Sequence, residues 1–203
     1  MPTLQEAVHH LYKKAVIEQS PTSTLRLEVL ANYCIEQLSH RGLPGAESDI
    51  DLPGGARTKN WDVVWFHNGK HRLAISLKSL LKNLGGTVPN RIDDLIGEVT
   101  NLQMYSPEVV TGYLMLFDVS QDTLDTKHGG TWCDVLTRRL EALSGRRMPA
   151  WGMGLVEGAC VVRLDFSKGP NILTPEKEVN DFFDALVAEA LARNPGARKG
   201  DRQ

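Results

Sequence analysis

At 203 residues the chain has the length of one domain and enough residues to bury a hydrophobic core. With 41% hydrophobic and 24% charged residues it has the composition of a globular chain, and no apolar run reaches the length of a membrane span. A formal net charge of −2 argues against a protein that coats nucleic acid by charge alone, but not against an acidic metal cleft with a basic rim.

Residues 4–18 and 24–40 carry helical periodicity, the second with Leu27, Leu30, Ala31, Cys34, Ile35 and Leu38 on one stripe after the capping-type run 20–23. The first of these opens the chain without the apolar core of a signal peptide. Together with three scattered cysteines (Cys34, Cys133, Cys160) outside any CxxC pattern, this predicts reduced thiols and a cytoplasmic location. Residues 41–60, rich in Gly, Pro and Asp, read as a loop. The period then changes: Trp61–Phe66 and His71–Lys78 are β-rich runs around Asn68-Gly69, a hairpin signal.

A loop over 83–90 and a helix over 90–104 follow, then the apolar run 111–118, which predicts a strand buried on both faces. A helix over 131–143, one or two strands within 151–166, and a helix from Thr174-Pro175 to about Arg193 complete the pattern. The chain divides into one domain over 1–195 and a tail over 196–203 expected to lack structure. The order of elements predicts an α/β (α+β) fold with a mixed central sheet flanked by helices.

The hairpin carries the candidate chemistry. Strand alternation points Ser76 and Lys78 one way and Leu73, Ile75 and Leu77 the other, toward a core. Asp62, on the first strand, faces Ile75 if the turn has two residues and Ser76 if it has three. An Asp and a Lys on one face supply half of what Mg²⁺-dependent phosphodiester hydrolysis requires: a hard oxygen ligand, and a cation beside the attacking water. In the next helix Arg91, Asp94, Glu98 and Asn101 recur along one polar stripe.

The segment Leu52-Pro53-Gly54, then Arg57, Lys59, Trp61-Asp62-Val63-Val64, Gly69, Ala74-Ile75, Lys78-Ser79, Asn90-Arg91, Asp93-Asp94 and Gly97 resembles the XhoI-type type II restriction endonucleases of the PD-(D/E)XK superfamily, over about residues 50–105. The resemblance implies a restriction-endonuclease-like fold and a DNA endonuclease that uses Mg²⁺. Asp62 would be a metal ligand and Lys78 the lysine that orients the nucleophilic water. The acidic position of the (D/E)-x-K motif falls on Ser76, a departure that removes one carboxylate; Glu98, or else Asp94, would replace it from the following helix. Glu28 corresponds to an early-helix glutamate that reaches the metal in many members. Arg57, Lys59, Lys82 and Arg91 are the implied DNA contacts.

Double-stranded DNA is thus the expected partner, and a homodimer is expected because symmetric cleavage needs two active sites. Two alternatives stand beside this: a binding protein of the same fold weakened by Ser76, and a nuclease subunit of a phage-defence assembly with partner proteins. Other signals read as background. Ser79-Leu-Leu-Lys82 follows a strand instead of opening a helix, and the pairs His9/His10 and His67/His71 lack a third ligand. Trp132 and Trp151 read as packing, and Arg138-Arg139 and Arg146-Arg147 as phosphate contacts or solvated helix ends.

Overall fold

The structure, a computed structural model, describes residues 2–20, 24–147 and 151–198. Helix α1 (Leu4–Tyr12) opens on a capping box in which Thr3 and Glu6 satisfy each other's amides, and it runs on into a π turn at Lys13–Ile17. A short 3₁₀ turn, Thr24–Leu27, leads into α2 (Glu28–His40), which has no side-chain cap. Residues 21–23 of the expected cap lie outside the described residues.

The expected loop over 41–60 contains a strand, β1 (Glu47–Leu52), at one edge of the main sheet. Glu47, Asp49 and Asp51 are its exposed positions, and charge of this kind on an edge strand blocks pairing with a second chain. Strands β2 (Lys59–His67) and β3 (Lys70–Leu80) form the hairpin. Asn68 and Gly69 both have positive φ (52° and 70°), the backbone of a type I′ turn whose twist suits the flanking strands.

Helix α3 (Leu84–Tyr105) starts six residues before the expected Asn90, through Gly85, Gly86 and Pro89. Pro89 costs one intrahelical hydrogen bond in the second turn, and burial of Leu84, Val88, Ile92, Leu95, Val99 and Leu102 along one face outweighs it. Strand β4 (Val110–Asp118) is buried at every position, as its apolar run predicts. A two-stranded ribbon, β5 (Leu124–Asp125) and β6 (Gly130–Thr131), precedes α4 (Trp132–Ala142), which opens on a second capping box from Thr131 and Asp134. Strands β7 (Gly158–Asp165) and β8 (Asn171–Ile172) follow, then α5 (Glu176–Arg193). A 3₁₀ turn at Pro195–Arg198 takes in the first three residues of the tail expected to lack structure, and residues 199–203 lie outside the described residues.

The main sheet is mixed, in the order β1-β2-β3-β4-β7-β8. Its centre is parallel (β3-β4-β7) because α3 and α4 serve as crossovers, and its flanks are antiparallel. Helices cover both faces. Val63, Trp65, Leu73, Ile75 and Leu77 pack with α1, α2 and α5, whereas Val64, Ala74, Leu80, Tyr113 and Phe117 pack with α3 and α4. Gly112 and Gly158 pair across β4 and β7, and a Cβ on Gly112 would lie 2.6 Å from Leu186 Cδ1, so the missing side chain lets α5 close on the sheet. Among the described residues no helix is long and apolar enough to cross a membrane.

Candidate functional site

The register of the hairpin decides whether the site assembles. The turn has two residues, which by itself would set Asp62 against Ile75. The pairing, however, runs His67–Lys70 and Phe66–His71 and then jumps to Trp65–Leu73, leaving Arg72 as an extra residue on β3. With Val63 opposite Ile75, the bulge brings Asp62 opposite Ser76. The short turn and the shared face therefore occur together.

The ladder between β2 and β3 ends at Val63–Ile75, and the Leu77 amide donates to Asp62 Oδ2 at 2.7 Å. Lys78 Nζ stands 3.9 Å from the same oxygen. It donates to Ser76 Oγ at 2.8 Å, and Ser76 donates in turn to Glu98 Oε2 at 3.1 Å. Glu98 thus reaches down from α3 into the slot beside Ser76, with Oε2 at 3.6 Å from Lys78 Nζ and Oε1 at 2.5 Å from Lys59 Nζ. Only 11% of the Glu98 side chain is exposed, against 30% for Asp62. Tyr113, next to Ser76 across β3 and β4, is fully buried beneath this group, and its hydroxyl has no hydrogen-bond partner among the described residues.

The two carboxylates differ in proton affinity. Burial raises the Asp62 pKa, and neighbouring Lys78 and the Leu77 amide only partly offset it. Burial also pushes Glu98 upward, but Lys78, Lys59 and the Ser76 hydroxyl outweigh it, so its pKa lies below the ordinary value. Glu98 is the more firmly ionised of the two.

The other expected site residues are placed differently. Asp94 pairs with Arg91 at 2.8 Å, one helical turn and about 6 Å along α3 from Glu98. Glu28 pairs with His10 at 3.4 Å, and α2 packs on the sheet face away from α3. Neither joins Asp62. Lys59 lies within the cluster, on Glu98, not on an outer rim. Arg57 sits on the loop between β1 and β2, which is clamped to α3 by Asn101: Asn101 Oδ1 accepts from the amides of Ala56 and Arg57, and Nδ2 donates to the Arg57 carbonyl. Arg91 and Lys82 border a recess at the end of β3, together with Arg26.

Among the background signals, Arg146 is neither a phosphate contact nor a helix end, but a buried ion-pair partner of Glu157. Arg138 donates to the carbonyls of His128 and Gly129. His71 bonds Ser106 and His67 stacks on Trp65. Sequence reasoning missed Arg26, Tyr113 and the clamping role of Asn101. Tyr113 had a signal, as an aromatic hydroxyl within an otherwise apolar strand, whereas Arg26 had none.

No protein-family model matches the chain, and no curated protein matches it.

The donors suit a small hard cation. Two carboxylates and a hydroxyl converge around Lys78, and oxygen is the ligand Mg²⁺ prefers. Among the described residues no group of three or more His, Cys, Asp or Glu side chains gathers to hold a metal. An ion here would complete its shell with water and substrate oxygens, as Mg²⁺ commonly does.

Proposed function

We propose that the chain is a Mg²⁺-dependent DNA endonuclease of PD-(D/E)XK type with a restriction-endonuclease-like fold. The observation that carries this reading is the position of Glu98. The resemblance requires a carboxylate where the sequence has Ser76, and Glu98 Oε2 accepts a hydrogen bond from that serine.

Asp62 and Glu98 would hold the cation, with Ser76 fixing the Glu98 carboxylate. When bound, Mg²⁺ would supply charge for the phosphoryl oxygens and acidify a water. Lys78, whose ammonium faces both carboxylates, is placed to donate to the attacking water and set its lone pair toward phosphorus. Lys59, ion-paired with Glu98, would screen that carboxylate and add positive charge for a bound phosphate.

One observation favours a second reading, a DNA-binding protein without catalysis. Lys59 and Lys78 already balance Asp62 and Glu98, so the cluster is electrically neutral with no metal. Incubation of the purified protein with supercoiled plasmid, with and without Mg²⁺, tests both. Nicked or linear product that requires Mg²⁺ and is lost in Lys78→Ala, with an unchanged melting curve, supports the nuclease. Binding without cleavage favours the second reading, and absence of any DNA binding removes both.

A further inference from the structure

Beyond Lys78 the sheet runs on into a recess of about 550 Å³. Its polar lining comes from Arg26, Ser79, Lys82, Asn83, Thr87 and Arg91, so it carries three positive groups, of which Arg91 is paired with Asp94 outside the lining. Leu80, also at the wall, lies two residues past Lys78 on the same face of β3, about 7 Å farther along the strand at the usual rise. That distance is comparable with the separation of successive phosphates on one nucleic-acid strand.

Two features suit the recess to an anion. Arg26 is half-buried, its Nε donating to Ser79 Oγ at 3.1 Å. Burial, and then the like charge of Arg91, hold its guanidinium below the usual pKa, with Asp62 pulling the other way. The second feature is the start of α3. Asn83 takes a left-handed backbone (φ 52°) and makes no side-chain cap, so the first-turn amides beside the recess are left to other acceptors.

We propose that this recess seats an internal backbone phosphate of the DNA strand being cut, the one adjoining the scissile phosphate, with Arg26, Lys82 and Arg91 as its cations. The proposal rests on the nuclease reading and deepens it. Arg26 joins the substrate contacts from α2's side of the sheet, while Lys82 and Arg91 approach from the α3 side. The contact would position the strand without reading bases, because phosphates carry no sequence information directly.

The test is the salt dependence of binding to a fluorescent duplex, in Ca²⁺ to block cleavage. Each neutralised phosphate contributes about 0.9 to the slope of log K against log salt. Arg26→Gln and Lys82→Gln are each expected to lower the slope by about 1 and to weaken binding severalfold, equally on unrelated sequences. Lys177→Gln on the exposed face of α5 should leave both unchanged. Closed circular plasmid should compete for the Arg26-dependent part as well as linear DNA does.

Unchanged slopes in both variants, with wild-type protein that still binds and cuts, overturn the proposal and leave the nuclease reading intact. Arg26-dependent competition confined to 5′-phosphorylated ends, or matched by inorganic phosphate, overturns the internal placement. Wild-type protein that binds no DNA removes both readings.

Discussion

Two clusters of charge, one joining Glu157 to Arg146 and to Arg193 of α5, the other joining the β2–β3 hairpin to Glu98 of α3, are built on opposite terms. In the first, Glu157 Oε1 takes Arg146 at 2.9 Å and Arg193 at 2.8 Å, while Oε2 accepts from the Thr111 amide and hydroxyl. The two guanidiniums spend their remaining donors on the carbonyls of Pro107, Glu108, Val109 and Gly152 and, from Arg193, on the Glu189 carboxylate, and both lie over the Trp151 ring. The side chains of Arg146, Glu157 and Arg193 are 1%, 2% and 5% exposed. In the second cluster Lys59, Asp62, Lys78 and Glu98 are partly open to solvent and held mostly by one another. Backbone carbonyls fix the first group, so it has nothing left to offer a ligand. Under the proposed function, the second would exchange a lysine contact for a cation or a phosphate. Buried charge alone therefore does not mark a site; charge whose partners are replaceable does.

The largest effect should come from the closed cluster. Glu157→Gln leaves the buried Arg146 guanidinium without a carboxylate and Arg193 with Glu189 alone, and loss of one partner of a buried pair costs about 3–5 kcal/mol. In a domain of this size that lowers Tm by roughly 10 °C. A melting curve within about 2 °C of wild type would break the contrast, because the network would then add little to stability.

The next effect belongs to the open cluster. Glu98→Gln should reduce Mg²⁺-dependent cleavage by about 10²–10³-fold, or ~3–4 kcal/mol at 1.36 kcal/mol per tenfold, with little change in Tm. Ser76→Glu alone should not help, since it sets a second carboxylate against Glu98 Oε2. Ser76→Glu combined with Glu98→Gln restores the one-carboxylate count, and plasmid cleavage above the Glu98→Gln level is the expected outcome. A double variant no better than the single one would show that the slot does not tolerate exchange.

The smallest effect sharpens the contrast by its sign. Burial raises the Asp62 pKa in the fold. The group therefore favours folding only below its unfolded pKa, and that contribution is lost as pH rises through the folded value. At neutral pH and in chelator, Asp62→Asn should raise Tm by about 2–4 °C, the response to ~1 kcal/mol, while its Oδ1 keeps the Leu77 amide bond. The gain should vanish in acid below the unfolded Asp pKa. A fall in Tm at neutral pH would mean that the ion pair with Lys78 outweighs burial.

Much of this was legible in the sequence because local pattern and tertiary need agreed. The Asn68-Gly69 turn, the apolar run of β4, and α5 opening after Pro175 all follow from residue chemistry alone. Strand β1 was hidden because an edge strand alternates acidic residues with half-buried ones and looks like a polar loop. The start of α3 was hidden because Gly85, Gly86 and Pro89 carry breaker signals that packing overrides. At the site, the shared face of Ser76 and Lys78 follows from strand alternation, whereas Asp62 meets Ser76 only through the bulge at Arg72, which the turn signal does not announce. Arg26 lies 53 residues from Ser79, a long-range contact that no local period announces. Glu28 and Asp94 have suitable chemistry, but α2 lies on the other face of the sheet and Asp94 stands one turn along α3 from Glu98.

The bulge at Arg72 turns the chemistry of this hairpin into a matter of odd and even. Counting from the turn, Asp62 and Ser76 meet only because one strand holds one residue more than its partner. Deletion of Arg72, or insertion of one residue between Asp62 and the turn, would send the aspartate toward the apolar layer occupied by Ile75 while leaving every side chain of the site in the sequence. Descendants of this chain can therefore lengthen or shorten the hairpin in pairs of residues and keep the cluster, whereas a single-residue change dismantles it without altering one ligand.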